Sequence, residues 1–466
     1  MNLAALLFDA TLPSHTALVD RERSITYPQL REEILDLAGA LHSSGVGTGD
    51  VVGIQLPNGI DFARCFFAVL AAGATATPLG THLSDEEAQA QLRDAQATLA
   101  MRSPEDIAAV LARPHAPAPS FATMSPQDRA CLPFSSGTTG TPKAVVLTHG
   151  NLCANVVQFA ERVNVAAEDT CLSVLPLSHI YGLTALLTVP LYCRARVIAT
   201  PFSAEDFLRD HQRFHVTTTF IAPPLARLLA QHSLVDTIDF SHCSQMISGA
   251  ASLPAAVAAA AMERTGVPIR QGYGLTEASP VTHLCMPDSP VTSIGPPLRD
   301  TRQRIVDPQS LKDLSPGEVG ELWVYGPQVM QGYAGAGPDS YGALVDGWLR
   351  TGDMAYINER EEVFIVDRLK DIIKSHGFQV SPVKLEDVVL HFSGVSDCAV
   401  VPGIGPHGEE MPVACVVADE SSVDPEELMA FVAERVAPFE RIRQVRFVDA
   451  IPRSAAGKTL RRLLRA

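Results

Sequence analysis

The chain has 466 residues, 46% of them hydrophobic and 19% charged, with a formal net charge of −16. Length and composition are those of a globular chain with a large buried core and about three domain-sized units. The negative balance argues against nucleic acid or an anionic membrane as the main partner, so an anionic ligand has to be met by backbone N–H groups, one or two lysines, or a metal ion.

Nine cysteines are scattered through the chain, an odd number with no CxxC pair. That usage predicts reduced, mostly buried thiols in a cytoplasmic protein. The N-terminal MNLAALLFDATLPSH lacks a basic region and a long apolar run, which predicts no signal peptide. The most apolar stretches, such as CFFAVLAAG, are too short to span a bilayer, so no membrane insertion is expected.

In chain order, ITYPQLREEILDLAGALHSSGV predicts an amphipathic helix. Thr26 and Gln29 form a capping-box pattern, Leu30, Ile34, Leu37 and Leu41 share one face, and Gly45 is the stop. VVGIQL reads as a buried strand, DFARCFFAVLAAG as a helix and ATATPL as a strand; the alternation predicts parallel strands in an α/β fold. RPHAPAPS reads as a surface loop. ACLPF and AVVLT are strand candidates on either side of FSSGTTGTPK, and HGNLCANVVQFAERV reads as a helix. TCLSVLPL, RARVIAT and TTTFIAP continue the strands, and LPAAVAAAAMERTG is an Ala-rich helix. From about 291 shorter strands (RQRIVD, GELWVYG) suggest an antiparallel or barrel-like subdomain. After about 370, helices (SPVKLEDVVLHF, DPEELMAFVAERV) and strands (CAVVPG, MPVACVVAD, QVRFVD) make a small α+β domain.

FSSGTTGTPK, residues 134–143, is not a Walker P-loop, because its glycines are too close and Pro142-Lys143 replaces Gly-Lys. Its chemistry still suits phosphate. Gly137 and Gly140 permit close backbone approach, Ser135, Ser136, Thr138 and Thr139 add hydroxyls, and Lys143 adds charge. On composition alone a polar hairpin loop explains the stretch equally well.

Other stretches bear on that choice. FSSGTTGTPKAVVLTHGN, QGYGLTEASPV, GELWVYGPQVMQGY, WLRTGD, FIVDRLKDIIKSHGFQVSP and PRSAAGKTLRR occur in this order. Together they resemble the motifs of the adenylate-forming superfamily of acyl-CoA synthetases, peptide-synthetase adenylation domains and beetle luciferases. TYPQL…GVGTGDVVGIQLPN is similar to its N-terminal entry, so the resemblance covers essentially the whole chain. It implies an α/β fold: a large N-terminal domain of α/β subdomains with a small barrel-like subdomain, residues 1–369, and a small mobile α+β domain, residues 370–466. It also implies a two-step reaction. A carboxylate attacks the α-phosphate of Mg·ATP to give an acyl-adenylate and pyrophosphate, and a nucleophile, usually a thiol, then displaces AMP.

By the same resemblance, Thr138 and its loop neighbours hold the β- and γ-phosphates, Thr276 is an α-phosphate ligand and Glu277 holds Mg²⁺, a metal that favours hard oxygen donors. Tyr273, in a motif with Gln271, Gly272 and Gly274, stacks on adenine opposite Gly249, Ala250 and Ala251. Asp353 binds the ribose hydroxyls, and Arg368 contacts ribose and phosphate. Lys458 bridges the α-phosphate and the incoming carboxylate, which is charge neutralisation and not base catalysis. Lys370 is the hinge, about which the segment carrying Lys374, Gly377 and Gln379 replaces Lys458 between the half-reactions.

His179, Tyr181, Pro280 and Val281 resemble the acid pocket of 4-coumarate–CoA ligases. Outside such a motif, a histidine beside an apolar stretch reads as a packed core residue. The chain departs from the family at Ala144, Ser178, Tyr325 and His376, and is shorter around 95–130. His376 falls where the thiol is met. The expectation is an ATP- and Mg²⁺-dependent ligase joining an aryl or hydroxycinnamate-type acid to CoA. Its rival is a related enzyme with another acceptor: a separate carrier protein's thiol, or nitrite activation with arylamine diazotisation.

Overall fold

The computed structural model describes the chain except residues 136–141, 336–339, 376–377, 406–408, 420–421, 454–456, 458 and 466; of Ser340, Phe378 and Gln379 it describes the backbone alone. The residues fall into two compact units. One comprises Met1–Leu253, Val257–Gln303 and Val324–Arg350; the other comprises Pro254–Ala256, Arg304–Trp323 and Thr351–Ala466.

After a short helix, Leu3–Phe8, a longer one runs Tyr27–Ser43. Thr26 and Gln29 cap it reciprocally, Leu30, Ile34, Leu37 and Leu41 are fully buried, and Gly45 follows at φ +84°. A left-handed residue just past the last turn is the conformation glycine adopts at least cost. Strand and helix then alternate as expected, but the strands divide between two sheets. The larger has the order Val281–Leu284, Ile269–Gly274, Gln245–Ser248, Thr218–Ile221, Thr170–Ser173, Arg196–Ala199, Thr16–Val19, Ser24–Thr26. Its pairs from Ile269–Gly274 to Thr16–Val19 are all parallel. The other has the order Gly332–Tyr333, Lys143–Thr148, Arg129–Cys131, Thr75–Pro78, Val51–Ile54, Leu99–Met101, with Phe134–Ser135 also on Lys143–Thr148. Its strands Val51–Ile54 and Thr75–Pro78 are buried along their whole length, as parallel strands covered on both faces must be.

Leu172, Ile198, Phe207, Ile221, Leu229 and Met246 form a core beside the larger sheet. Burying each such side chain contributes roughly 1.5–3 kcal/mol. In the second unit, strands Asp397–Ile404, Glu410–Val417 and Gln444–Phe447 make a sheet. Helices Pro382–Val389 and Pro425–Ala433 pack on it through Leu385, Val389, Leu428 and Val432. This is the small α+β body anticipated near the C-terminus. The strands between 302 and 368 form an open path, Arg302–Val306, Gly320–Tyr325, Trp348–Ile357, Leu344–Val345, with Val363–Arg368 also on Trp348–Ile357. No closed barrel exists among the described residues, so the barrel-like reading narrows to an open sheet. No described helix is long and apolar enough to cross a membrane.

Three buried histidines predict acid sensitivity. Burial pushes His149, His211 and His283 down to about 4, so between about pH 6.5 and 4 the unfolded chain binds protons that the folded one refuses. Stability falls as pH drops through that window, by on the order of 2 kcal/mol per histidine between pH 7 and pH 5. Buried Asp367 and half-buried Glu386, whose carboxyls are raised by desolvation, act in the opposite sense at the lower end. A thermal-melting series from pH 7.5 to 5 should show Tm falling. His211→Gln, which keeps hydrogen-bonding capacity toward Phe207 and Thr219, should recover roughly a third of the loss. A flat Tm would contradict this.

Candidate active site

In the larger sheet, the functional residues expected from sequence gather at the carboxyl ends of the parallel strands, where ligands bind in open α/β sheets. Gly249 follows Gln245–Ser248, and its N–H donates to Ile221 O at 3.0 Å. A Cβ on Gly249 would lie 3.0 Å from the Tyr181 ring, so the glycine admits that ring. Tyr181 is buried and donates its hydroxyl to Ile221 O (3.3 Å) and Ile247 O (3.2 Å), bridging two neighbouring strands. His179 Nδ1 accepts the Tyr181 N–H at 3.2 Å. Ala250, at φ +71°, is exposed and Ala251 half-buried.

The adjacent strand Ile269–Gly274 carries Gln271, Gly272, Tyr273 and Gly274. Tyr273 is half-buried, its ring edge-on to His283 at 5.8 Å. The Gln271 amide accepts from Leu253 N (3.1 Å) and donates to Val291 O (2.5 Å), fastening loops to the strand. At Gly274 a Cβ would fall 1.9 Å from Pro280 O. Only glycine fits there, and it lets the turn Thr276–Val281 fold back so that Leu275 N–H reaches Pro280 O at 3.0 Å.

That turn holds four of the expected residues. Thr276, Pro280 and Val281 are buried and Glu277 is half-buried. Glu277 Oε1 accepts from Ser135 Oγ (2.8 Å) and from Tyr333 OH (2.9 Å), while its carbonyl accepts Met330 N–H (2.9 Å). Ser135 and Lys143 are register partners at the base of a hairpin, so FSSGTTGTPK does join two paired strands. Its residues Ser136, Gly137, Thr138, Thr139 and Gly140 lie outside the described residues. Lys143 Nζ sits 3.2 Å from the centre of the Tyr341 ring and 5.3 Å from that of Tyr333, cation–π contacts that help hold the ammonium. Burial lowers the Lys143 pKa and the Glu277 carboxylate opposes it. Tyr333 is raised by burial and by the same carboxylate. Tyr333 and Tyr341 were not anticipated. Tyr333 ends the motif GELWVYGPQVMQGY, so its position was visible but not its partner.

The second unit pairs Asp353 with Arg368 across neighbouring strands, Arg368 Nε lying 3.2 Å from Asp353 Oδ1. Asp353 is buried, its N–H donating to Thr351 Oγ1 at 3.1 Å, and Gly352 N–H donates to Glu321 Oε1 at 3.1 Å. Lys370 is exposed; desolvation and then Arg368 lower its pKa, against Asp371 and Asp353. Just before it, Asp367 caps the helix Pro382–Val389, accepting from Ser381 Oγ (2.7 Å) and Val383 N (3.0 Å). Lys374 is exposed and pairs with Gln379 in a hairpin, its N–H donating to Glu410 at 2.8 Å. His376, Gly377 and Lys458 lie outside the described residues. The ends of the Lys458 loop are fixed: Arg453 pairs with both Asp397 oxygens at 2.9 Å and donates to Thr459 Oγ1 at 3.0 Å, and Leu460 N–H donates to Pro452 O at 2.8 Å.

Each unit therefore presents groups suited to a nucleotide–acid reaction. One has a carboxylate held by two hydroxyls beside a lysine and a buried apolar turn; the other has a buried carboxylate paired with an arginine. Comparison with known proteins agrees. The AMP-binding enzyme family matches residues 8–334, and the AMP-binding enzyme C-terminal domain matches residues 384–458. A 4-coumarate–CoA ligase of Oryza sativa subsp. japonica is 34% identical over 98% of this chain and 90% of its own. ATP-bound MatB from Rhodopseudomonas palustris superposes with a TM-score of 0.92 at 27% identity, over 100% of this chain and 98% of its own. A benzoate CoA ligase from Burkholderia xenovorans LB400 gives 0.91 at 25% identity, over 100% of both chains. The chain belongs to the AMP-binding enzyme family, the ATP-dependent, AMP-forming acid–CoA ligases of the adenylate-forming superfamily.

Proposed function

We propose that this protein activates an aryl or hydroxycinnamate-type acid as its acyl-adenylate and transfers the acyl group to CoA. The supporting observation is the turn Thr276–Val281, in which the half-buried Glu277 carboxyl group stands three residues before the buried apolar pair Pro280 and Val281. The named activities of the rice and Burkholderia relatives favour an aromatic acid.

In the first step an acid carboxylate oxygen bonds to the α-phosphorus, the bond to the bridging oxygen breaks and pyrophosphate leaves. Two anions must approach, so positive charge decides the rate. Lys143 serves the phosphates, and Lys458 serves the α-phosphate and acid. Asp353 and Arg368 hold the ribose. Glu277 Oε2 carries no hydrogen bond among the described residues, which leaves a hard oxygen of the kind Mg²⁺ takes. Bound Mg²⁺ supplies charge neutralisation for the phosphates. In the second step the thiol sulfur attacks the carbonyl carbon and AMP leaves. Here residues 1–369 and 370–466 act as separate domains, turning at Lys370 to bring in Lys374 and Gln379.

The test is a product screen with ATP, Mg²⁺ and a panel of aryl acids, with CoA, with nitrite plus an arylamine, or with neither. The expected product is an aryl-CoA thioester, formed only with CoA. A diazotised product, or an adenylate that CoA never discharges, would move the reading to the other acceptors.

A further inference from the structure

The acid turn does not stand by itself. Tyr181 leads into a π-helix, Gly182–Thr188, whose residues are all buried. Such helices are rare and concentrate at functional sites. Thr184, 1% exposed, donates its hydroxyl to Ser279 O at 3.0 Å. Ser279 is fully buried at φ +71° and donates its own hydroxyl to Gln328 O at 2.9 Å. From the helix His149–Val163, fully buried Asn155 pairs with both backbone groups of Val281, donating to its carbonyl at 2.6 Å and accepting its N–H at 3.0 Å. Two side chains from two elements thus fix the backbone on either side of Pro280.

Neither contact is a packing necessity. Residue 184 could be valine of nearly the same shape, and an apolar residue could fill the space of Asn155 if Val281 were paired otherwise. Buried polar groups that satisfy each other fix one arrangement where apolar packing tolerates several. We propose that Thr184 and Asn155 are positioning residues that set Ser279–Val281 and so determine which acids the pocket accepts. The inference rests on the reading of that turn as the acid site. Since Thr184 lies three residues after Tyr181 on the same helix, it ties both proposed pocket walls together.

Thr184→Val removes the hydroxyl and leaves Ser279 O without it, whereas Thr184→Ser restores the donor. The measurement is acid-dependent ATP–pyrophosphate exchange with benzoate, cinnamate and 4-hydroxycinnamate, alongside thermal melting. The best acid should lose about tenfold in kcat/KM through the lost buried hydrogen bond. The ratio between acids should shift by roughly threefold or more, and ATP KM should stay within about twofold. Thr184→Ser should return both acid parameters. Should Thr184→Val not fold, Thr184→Ala against Thr184→Ser makes the same comparison. Unchanged acid ratios and acid KM, with or without a lower Tm, would overturn the proposal. If the unaltered enzyme shows no acid-dependent exchange with any acid, the acid-site reading fails and this proposal with it.

Discussion

Lys458→Ala should reduce acyl-adenylate formation by about 10²–10³-fold, the range seen when one preorganised electrostatic donor is removed. In the proposed function the α-phosphate and the acid carboxylate are both anionic, and the Lys458 ammonium is assigned the task of offsetting their repulsion while aligning the oxygen. Lys458 is flanked by a loop base that Arg453 clamps to Asp397 and Thr459, so alanine at 458 removes the charge and leaves that clamp untouched. The effect should be confined to one half-reaction. Thioester formation from supplied acyl-adenylate and CoA should persist at close to the unaltered rate, since the proposed function assigns that step to Lys374 and Gln379. Pyrophosphate exchange and single-turnover thioester formation separate the two, with melting temperature as the folding control. Equal loss in both halves, or in neither, would contradict the role.

Glu277→Gln separates two roles for one side chain. If Glu277 only fastens Ser135 and Tyr333, a glutamine oxygen can accept the same two hydroxyls, and activity should hold. If the carboxylate is a metal ligand, the lost charge should lower adenylation by about 10²-fold and raise the Mg²⁺ concentration for half-maximal rate by roughly tenfold or more. The proposed function predicts the second outcome, together with a lower Tyr333 pKa, because the carboxylate that helps raise it is gone. A titration of rate against Mg²⁺ for both proteins decides the matter. Superimposable curves would remove Glu277 from the metal site.

These residues show what the sequence reveals and where it stops. The helix Tyr27–Ser43 was legible because its determinants are local: Thr26 and Gln29 cap it, four leucine or isoleucine positions share a face, and Gly45 ends it. The strand–helix alternation was legible for the same reason, but its division into two sheets was not. Strands such as VVGI and TCLS are buried along their whole length with no alternation, so nothing in them names a neighbour. QMIS, a central strand of the larger sheet, is four residues long without alternation and escaped notice. The acid turn could be located by its motif, but its supports could not. Ser135 and Glu277 meet across 142 positions and Thr184 and Ser279 across 95. The partners of Gln271 were equally hidden: its amide fastens Leu253 and Val291. A motif marks where chemistry sits, while the tertiary partner decides what each polar group does.

The most direct measurement is ATP–pyrophosphate exchange by the unaltered enzyme, with and without an aryl acid and in the absence of CoA. The account predicts exchange that requires the acid and Mg²⁺, and that gives AMP, pyrophosphate and an aryl thioester in equal amounts once CoA is added. Exchange that ignores the acid, no exchange across the aryl-acid panel, or ADP and phosphate as products would contradict it.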